Sequence, residues 1–350
     1  MKSLIVNGAK LGLSGALICG IAAIFLVTDP HGEVTEAEAD IAAKVPVKHV
    51  AGHDFAEVVA KTGMRPRPYE VNGNEVYFAV GYTDEEPEEI LQAYQKKFVA
   101  SGINTRVFDR VPDAKFERTM QDLVDLKEVD SLEDLRKYDM DEYERDYNLA
   151  MLNGGVVPIS QRPGYVAMGG MVSKEKSEKL EDVFGNWSPE HNPDAKLGGF
   201  MDGFRFIDAQ KVAEKRTRVT SVWSRDKFDF DKMDDPNKEG VAPVTQTPAC
   251  IGCSVGMQMK SLSPSERYRM SNMYTSKSRA DVIAFYDKAM RNRGWQPTDA
   301  SEAMGYVKRE LGVLEGIDVL NFTKDGMEST ISVFPDPSGY QTQVAVVESF

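Results

Sequence analysis

The sequence predicts an α+β chain in which a single transmembrane helix precedes two related β-α-β-β-β modules. Three observations lead to this prediction: an uncharged block near the N-terminus, a pattern that repeats at a constant offset of 192 residues, and a large helical insert in the first copy only. Each repeated helix is followed by strand-like segments, the order expected for one helix packed on a mostly antiparallel sheet. The length of 350 residues fits two such modules.

Composition excludes several classes of protein. The chain has 55 acidic and 42 basic residues, a net charge of −13, which argues against a nucleic-acid binder with a basic face. A mean hydropathy of −0.39 excludes a membrane protein with many spans. Three cysteines are too few for a small fold held together by disulfides.

The uncharged block at 11–28 follows a short basic segment at 1–10. As a helix it would be about 27 Å long, close to the thickness of the hydrocarbon core of a bilayer. Lys2 and Lys10 precede the block and acidic residues follow it, so we expect the N-terminus in the cytoplasm and the bulk of the chain in the periplasm. The block therefore predicts a signal anchor in the bacterial inner membrane. A cleaved signal peptide stays an alternative, with its best cleavage motif at 37–39.

The repeat begins at a strand-like run and continues through a predicted helix in each copy. The matched positions are Tyr82-Thr83, Ile90-Leu91, Tyr94, Phe98 and Gly102 in the first copy, and Tyr274-Thr275, Val282-Ile283, Tyr286, Met290 and Gly294 in the second. Gly102 and Gly294 stand where a left-handed helix cap is expected. The final strands also match, because 216–224 and 341–349 share Thr, Val, Val and Ser in register.

Each copy is expected to contain one helix and several strands. In the second copy we predict a helix at 279–292, a short extended piece near Trp295, and strands at 267–275, 317–324, 328–334 and 341–348. In the first copy we predict a helix at 87–101 and strands at 75–82, 104–110, 164–172, 203–208 and 215–224. The resulting ranges are a linker at 29–70, the first module at 71–230, a linker loop at 231–262 and the second module at 263–350.

The first module also carries two inserts, at 111–150 and 173–202. The first is charged and helix-prone, with 13 acidic and six basic residues. Its apolar positions, Tyr143 and Tyr147 among them, are expected along its inner faces. Such an insert either carries what is special to the protein or is a solvated helical decoration, and the sequence leaves both open.

The second copy resembles small α/β modules of bacterial envelope proteins whose function is unassigned. The resemblance covers about ninety residues, and it depends on the stretch SRADVIAFYDKAMRNRGWQ together with the last strands. It implies a location in the cell envelope and no particular activity.

The sharpest local motif is Cys250-Ile-Gly-Cys253, in the linker loop. This spacing allows a disulfide or two ligands to one metal, and in an exported segment the disulfide is the expected state. Ser254 follows the motif, which excludes haem attachment, and the next residues are a poor helix start for a thioredoxin-type site. Redox chemistry and a metal site that includes His49 and His53 stay alternatives.

No catalytic constellation is evident in the sequence, so we predict no enzyme activity, no cofactor and no resident metal. The expected function is that of a structural, scaffolding or accessory subunit in a membrane-associated complex. Its partners would be other envelope or membrane proteins, or a second copy of the chain, through protein–protein contacts. The alternatives are an exported thiol-disulfide or metal-binding enzyme that uses Cys250 and Cys253, and a ligand-binding sensor.

Overall fold

The computed structural model describes residues 53–60, 62–112, 142–174, 178–179, 201–224, 227–233, 243–263, 267–299, 317–335 and 342–350. These residues form a mostly antiparallel β-structure with few helices, which confirms the α+β class. The predicted anchor at 11–28 and most of both inserts lie outside them. In the described ranges no helix is long and apolar enough to span a membrane.

The elements are numbered here in chain order. The helices are α1 (His53–Ala60), α2 (Pro87–Ala100), α3 (Glu142–Leu152) and α4 (Arg279–Asn292). The first six strands are β1 (Arg67–Val71), β2 (Asn74–Thr83), β3 (Val157–Arg162), β4 (Tyr165–Ser173), β5 (Met201–Ala213) and β6 (Arg216–Ser224). The remaining strands are β7 (Ser254–Ser261), β8 (Tyr268–Thr275), β9 (Gln296–Thr298), β10 (Asp318–Lys324), β11 (Met327–Pro335) and β12 (Thr342–Ser349). A 3₁₀ turn spans Phe230–Met233.

The described residues group into two compact units. Unit 1 contains the described residues up to Pro66 together with Val76–Phe230, and unit 2 contains Arg67–Glu75 together with Asp231–Phe350. Within unit 1 the strand order is β3-β4-β5-β6-β2, and within unit 2 it is β1-β7-β8-β12-β11-β10-β9. Every neighbouring pair within a unit is antiparallel.

The helices α2 and α4 begin and end at positions that differ by 192 residues. Each is followed by a glycine in the left-handed region, Gly102 at φ +76° and Gly294 at φ +82°, as the sequence predicts. Glycine suits this position because it has no Cβ to clash with the preceding turn. At the other end of α4, the Ser278 side chain accepts a hydrogen bond from the Asp281 N–H and so caps the helix.

The strands that flank these helices also keep one register. Thr83 lies opposite Thr217 in unit 1, and Thr275 lies opposite Thr342 in unit 2. The first pair is related to the second by the same offsets that relate the helices and the last strands in the sequence. Helix bounds and strand pairing therefore agree between the units, position by position.

Each unit has its own apolar core beneath its helices. In unit 1, α1 and α2 cover a face of the sheet that contributes Val166, Met168, Ile207, Val219 and Trp223. In unit 2, α4 covers a face that contributes Met273, Phe322, Ile331, Val344 and Val346. Burial of these side chains is the main favourable contribution to folding.

The prediction of a strand over 104–110 is wrong. The Asn104 N–H bonds the Phe98 carbonyl at 3.1 Å, and the Phe108 N–H bonds the Gln95 side chain at 3.1 Å, so this backbone pairs with no strand. Of the corresponding residues of unit 2, Gln296–Thr298 form β9. The structure also contains α1, β1 and β7 in ranges interpreted from the sequence as linkers.

Candidate functional site

The two cysteines of the linker loop lie at disulfide distance, which is compatible with the predicted bond. Their Cα atoms are 5.2 Å apart, and the Cys253 N–H donates to the Cys250 carbonyl at 3.0 Å, closing a turn. Gly252 takes the third position of that turn with φ +72°, a conformation that favours glycine. Ile251, at the apex, is 70% exposed.

The two cysteines differ in their surroundings. Cys250 is only 5% exposed and lies in the apolar core of unit 2, whereas Cys253 is partly exposed. The Tyr286 hydroxyl lies near the backbone of Cys250, and burial raises the pKa of that tyrosine. A strand, β7, begins directly after Cys253, so the motif does not open a helix as a thioredoxin-type site would.

A buried carboxylate holds the segment that leads into Cys250. Glu348 on β12 is fully buried and accepts hydrogen bonds from the Gln246 N–H at 2.9 Å and the Thr247 N–H at 2.7 Å. The Thr247 hydroxyl donates a third bond at 2.9 Å, so both oxygens of this side chain have hydrogen-bond partners. Sequence reasoning missed Glu348 among 55 acidic residues. The repeat carried a signal, because it aligns Glu348 with the buried Trp223.

The equivalent positions of unit 1 are covered by α1 and the turn after it. Tyr94 matches Tyr286 in the repeat, and its hydroxyl donates to the Thr62 hydroxyl at 3.0 Å. Burial raises the pKa of Tyr94 to about 12. Trp223 matches Glu348, and its ring packs against Phe55 of α1 at 5.5 Å. A helix therefore covers in unit 1 what the cysteine loop covers in unit 2.

The described part of the chain holds no group of three or more His, Cys, Asp or Glu side chains placed to bind an ion. It therefore adds no ligand to the metal site considered as an alternative for the two cysteines. His53 is the first residue of α1, and His49 lies outside the described ranges. The acidic stretch from Asp229 to Asp235 includes the 3₁₀ turn at Phe230–Met233. Just before it, the Phe228 ring packs on Phe204 at 5.1 Å.

A second built feature is the base of the acidic insert, where two buried amide side chains bind one backbone segment. Asn104 accepts from the Val156 N–H at 2.8 Å and donates to the Val156 carbonyl at 2.9 Å. Gln95 donates to the same carbonyl at 2.7 Å, and its own oxygen accepts from Asn104 and from the Phe108 N–H. The chain before the insert is thus joined to the chain after it.

The tyrosines of α3 extend this base, in agreement with the inner face predicted for them. The Tyr143 hydroxyl donates to the Arg110 carbonyl at 2.7 Å, and the Tyr147 hydroxyl donates to the Pro158 carbonyl at 2.7 Å. Both rings pack edge-on against Phe108, at 5.8 and 6.0 Å. We call these contacts and the Gln95–Asn104 amide network the insert clamp.

Close backbone contact fixes the end of α3 on the sheet. Gly170 of β4 lies against Gly155, and a Cβ on Gly170 would stand 1.7 Å from the Gly155 carbonyl oxygen. The buried Arg205 guanidinium donates to the Gly154 carbonyl just beyond the helix, where a cation also complements the helix dipole. The Gly169-Gly170 pair therefore serves close packing in β4.

One buried acid in unit 1 has a strongly perturbed pKa. Asp208 on β5 is 6% exposed and lies opposite Thr220 of β6. Burial raises its pKa from 3.8 to about 6, although attraction to Arg218 and hydrogen bonding to Thr220 act in the opposite direction. Arg218 also donates to Gln210 at 2.8 Å. Within the described residues, one oxygen of Asp208 has no hydrogen-bond partner.

Comparison of this chain with protein-family models, with curated proteins and with solved structures finds no match. Its function is therefore argued from its own residues. Two constructions invite a functional interpretation: the cysteine loop of unit 2 and the insert clamp of unit 1.

Proposed function

We propose that this chain is a structural or accessory subunit of a membrane-associated complex in the bacterial envelope, acting through protein–protein contacts. Residues 11–28 would anchor it once in the inner membrane, with the N-terminus in the cytoplasm and the two related β-α-β-β-β modules in the periplasm. Its partners would be other envelope proteins or a second copy of the chain. The proposal assigns it no catalysis, cofactor or nucleic acid.

The observation that supports this proposal is the insert clamp. Buried polar groups cost stability unless all their hydrogen bonds are made, and Gln95 and Asn104 use theirs to join the two ends of the insert. Between these ends, residues 113–141 carry ten acidic and five basic side chains. A solvent-exposed loop with no binding role does not need ends that are held together in this way. A segment that binds a partner does need ends in fixed positions.

The matching frames of the two units give this arm its context. Helix bounds and strand register agree at constant offsets, which supports descent from one duplicated module. Unit 1 contains the insert clamp and α3 in addition to the helix and strands that match between the two units. An addition of this kind, fastened to a frame that the other module forms without it, is expected to carry the specific contact.

The test replaces residues 113–141 by a short Gly-Ser linker in the full chain, expressed in its native membrane. Because the clamp already holds the two ends together, unit 1 is expected to fold with the shorter connection. After mild cross-linking, native electrophoresis should show the wild-type chain in a larger species and the variant as the free chain. A matched control replaces 181–199 of the second insert and should keep the larger species.

Membrane attachment is measured separately, by extraction of both chains with alkaline carbonate. Retention of both variants in the membrane would show that loss of the larger species is not loss of the anchor. A wild-type chain that runs as a monomer under every mild detergent condition would refute the scaffolding role. Equal loss of the complex in both variants would refute the assignment of the contact to the acidic insert.

A further inference from the structure

We propose that the turn at Cys250–Cys253 is a docking and exchange site for an exported thiol–disulfide oxidoreductase, so that this chain is that enzyme's substrate. The enzyme would contact Ile251 and exchange disulfides with Cys253. The inference depends on the proposed function only for the periplasmic location of the loop. It assigns a partner of defined chemistry to a surface of unit 2.

The geometry separates the roles of the two sulfurs. Cys250 is enclosed by the core of unit 2, beside Tyr286, whereas Cys253 is partly exposed at the end of the turn. Cys253 packs against the same core but is only partly buried, so it is the more accessible of the two residues to an incoming sulfur, and Cys250 is placed to close the disulfide from within the core. The order of attack follows from burial alone, since both cysteines belong to the same short turn.

The second observation is the exposed side chain between the two sulfurs. Ile251 is 70% exposed, and the turn around it is closed by the hydrogen bond from the Cys253 N–H to the Cys250 carbonyl. Glu348 holds the segment that leads into this turn. A single exposed apolar side chain is common on protein surfaces, so it is the position of Ile251 between the two cysteines that distinguishes it. An enzyme that exchanges disulfides must hold a substrate segment beside its own cysteine, and Ile251 offers that contact next to Cys253.

The reaction balances as two thiol–disulfide exchanges. The Cys253 thiolate attacks one sulfur of the enzyme's disulfide, and the enzyme's second cysteine leaves as a thiolate and takes up a proton. Cys250 then loses its proton and attacks the Cys253 sulfur, which forms the Cys250–Cys253 bond and releases the enzyme's first cysteine. The chain loses two electrons and two protons, and the enzyme's disulfide gains both. The Cys250 thiolate forms in both directions of this exchange, so the reduction potentials of the two disulfides set which direction is favoured.

The test uses the full chain in a Cys19→Ser background, with Cys250→Ala or Cys253→Ala leaving one thiol of the pair. Two probes report on each thiol through release of thionitrobenzoate: the small disulfide dithionitrobenzoate, and a single-cysteine thioredoxin-fold oxidoreductase loaded with thionitrobenzoate. We expect Cys253 to react at least about tenfold faster than Cys250 with both probes. Equal rates, or a faster Cys250, would overturn the assignment of Cys253 as the exchanging sulfur.

Docking is tested by Ile251→Ser in the chain that retains Cys253. Loss of one buried aliphatic contact should slow the reaction with the oxidoreductase about tenfold and leave the reaction with dithionitrobenzoate unchanged. Ile159→Ser, at an exposed isoleucine of unit 1, is the matched control and should change neither rate. If Ile251→Ser slows both probes equally, or slows neither, the docking role is wrong. All rates are measured on the purified chain, so they do not depend on whether the membrane complex exists.

Discussion

The buried Asp208 makes the stability of unit 1 depend on pH in a way that one substitution should abolish. Burial raises its pKa from 3.8 to about 6, and each pKa unit corresponds to about 1.4 kcal/mol. Ionisation of this carboxyl should therefore lower the free energy of unfolding by about 3 kcal/mol. The folded chain holds the proton more tightly than the unfolded chain does. The stability from this group is therefore full below about pH 4 and is lost as the pH rises through about 6.

The perturbation is Asp208→Asn, which keeps the shape of the side chain and removes its charge. At pH 7 we expect the variant to be more stable than the wild type, by up to about 3 kcal/mol, and at pH 4 we expect little difference. The assay is hydrogen exchange of the β5 and β6 amides between pH 4 and 8, converted to opening free energies. Asp84→Asn, at an exposed carboxyl, is the control and should leave the pH dependence unchanged.

Two results would refute this reasoning. A variant that is less stable than the wild type at pH 7 would mean that attraction between Asp208 and Arg218 outweighs the desolvation of the carboxyl. An unchanged slope between pH 4 and 6 would mean that Asp208 does not titrate in that range. Either result would show that ionisation of Asp208 does not govern the pH dependence of the stability of unit 1.

Three further substitutions test the packing of the two units, each measured by urea denaturation. Gly170→Ala should destabilise unit 1 by about 3 kcal/mol or more, because the added Cβ would clash with backbone atoms. Gly102→Ala has open space around it, so only its positive φ should cost stability, about 1 kcal/mol. Similar values for the two variants would contradict the close contact at Gly170. Asn104→Ala removes the partner of the buried Val156 N–H, whereas the Val156 carbonyl keeps its bond from Gln95. The substitution should cost about 1–3 kcal/mol, and a neutral effect would refute the insert clamp. Glu348→Ala should destabilise unit 2 by about 3 kcal/mol, whereas the control Glu328→Ala, at an exposed residue, should have little effect. Equal effects would show that the Glu348 side chain does not hold the segment that leads into Cys250.

Sequence reasoning placed the repeated elements well because their signals are local. Helix α4 and its glycine cap occupy the predicted positions, since apolar spacing, an N-cap serine and a C-terminal glycine all lie within one segment. The β12 strand was likewise predicted, from its register match to the last strand of the first copy. Where neighbouring residues specify an element, one sequence is enough.

The missed elements depend on distant partners. Strand β1 pairs with β7, whose residues lie about 190 positions further along the chain, so neither strand is marked by a local hairpin signal. The segment at 104–110 has strand-like residues, yet its Phe108 N–H bonds the Gln95 side chain and its Asn104 N–H bonds the Phe98 carbonyl, so neither group is available to a ladder. Such side-chain competition for backbone groups is set by tertiary contacts.

The candidate site was predicted only in part. The spacing of Cys250 and Cys253 predicts a covalent pair, but it does not reveal that one cysteine is enclosed and the other accessible. Glu348 was hidden among many acidic residues, although its alignment with Trp223 indicated a buried position. Charge and spacing can be read from a sequence, whereas burial of a particular side chain depends on the folded surroundings.

The central claim is that the acidic insert contacts another protein, and site-specific photo-cross-linking in native membranes from the start of α3, within that insert, tests it most directly. A photoreactive residue replaces Glu142, which is exposed at the start of α3, or Gln92, which is exposed on α2 of the same unit. The account predicts a discrete cross-linked protein species from position 142 and none from position 92. Absence of any discrete product from position 142, or the same product from both positions, would contradict it.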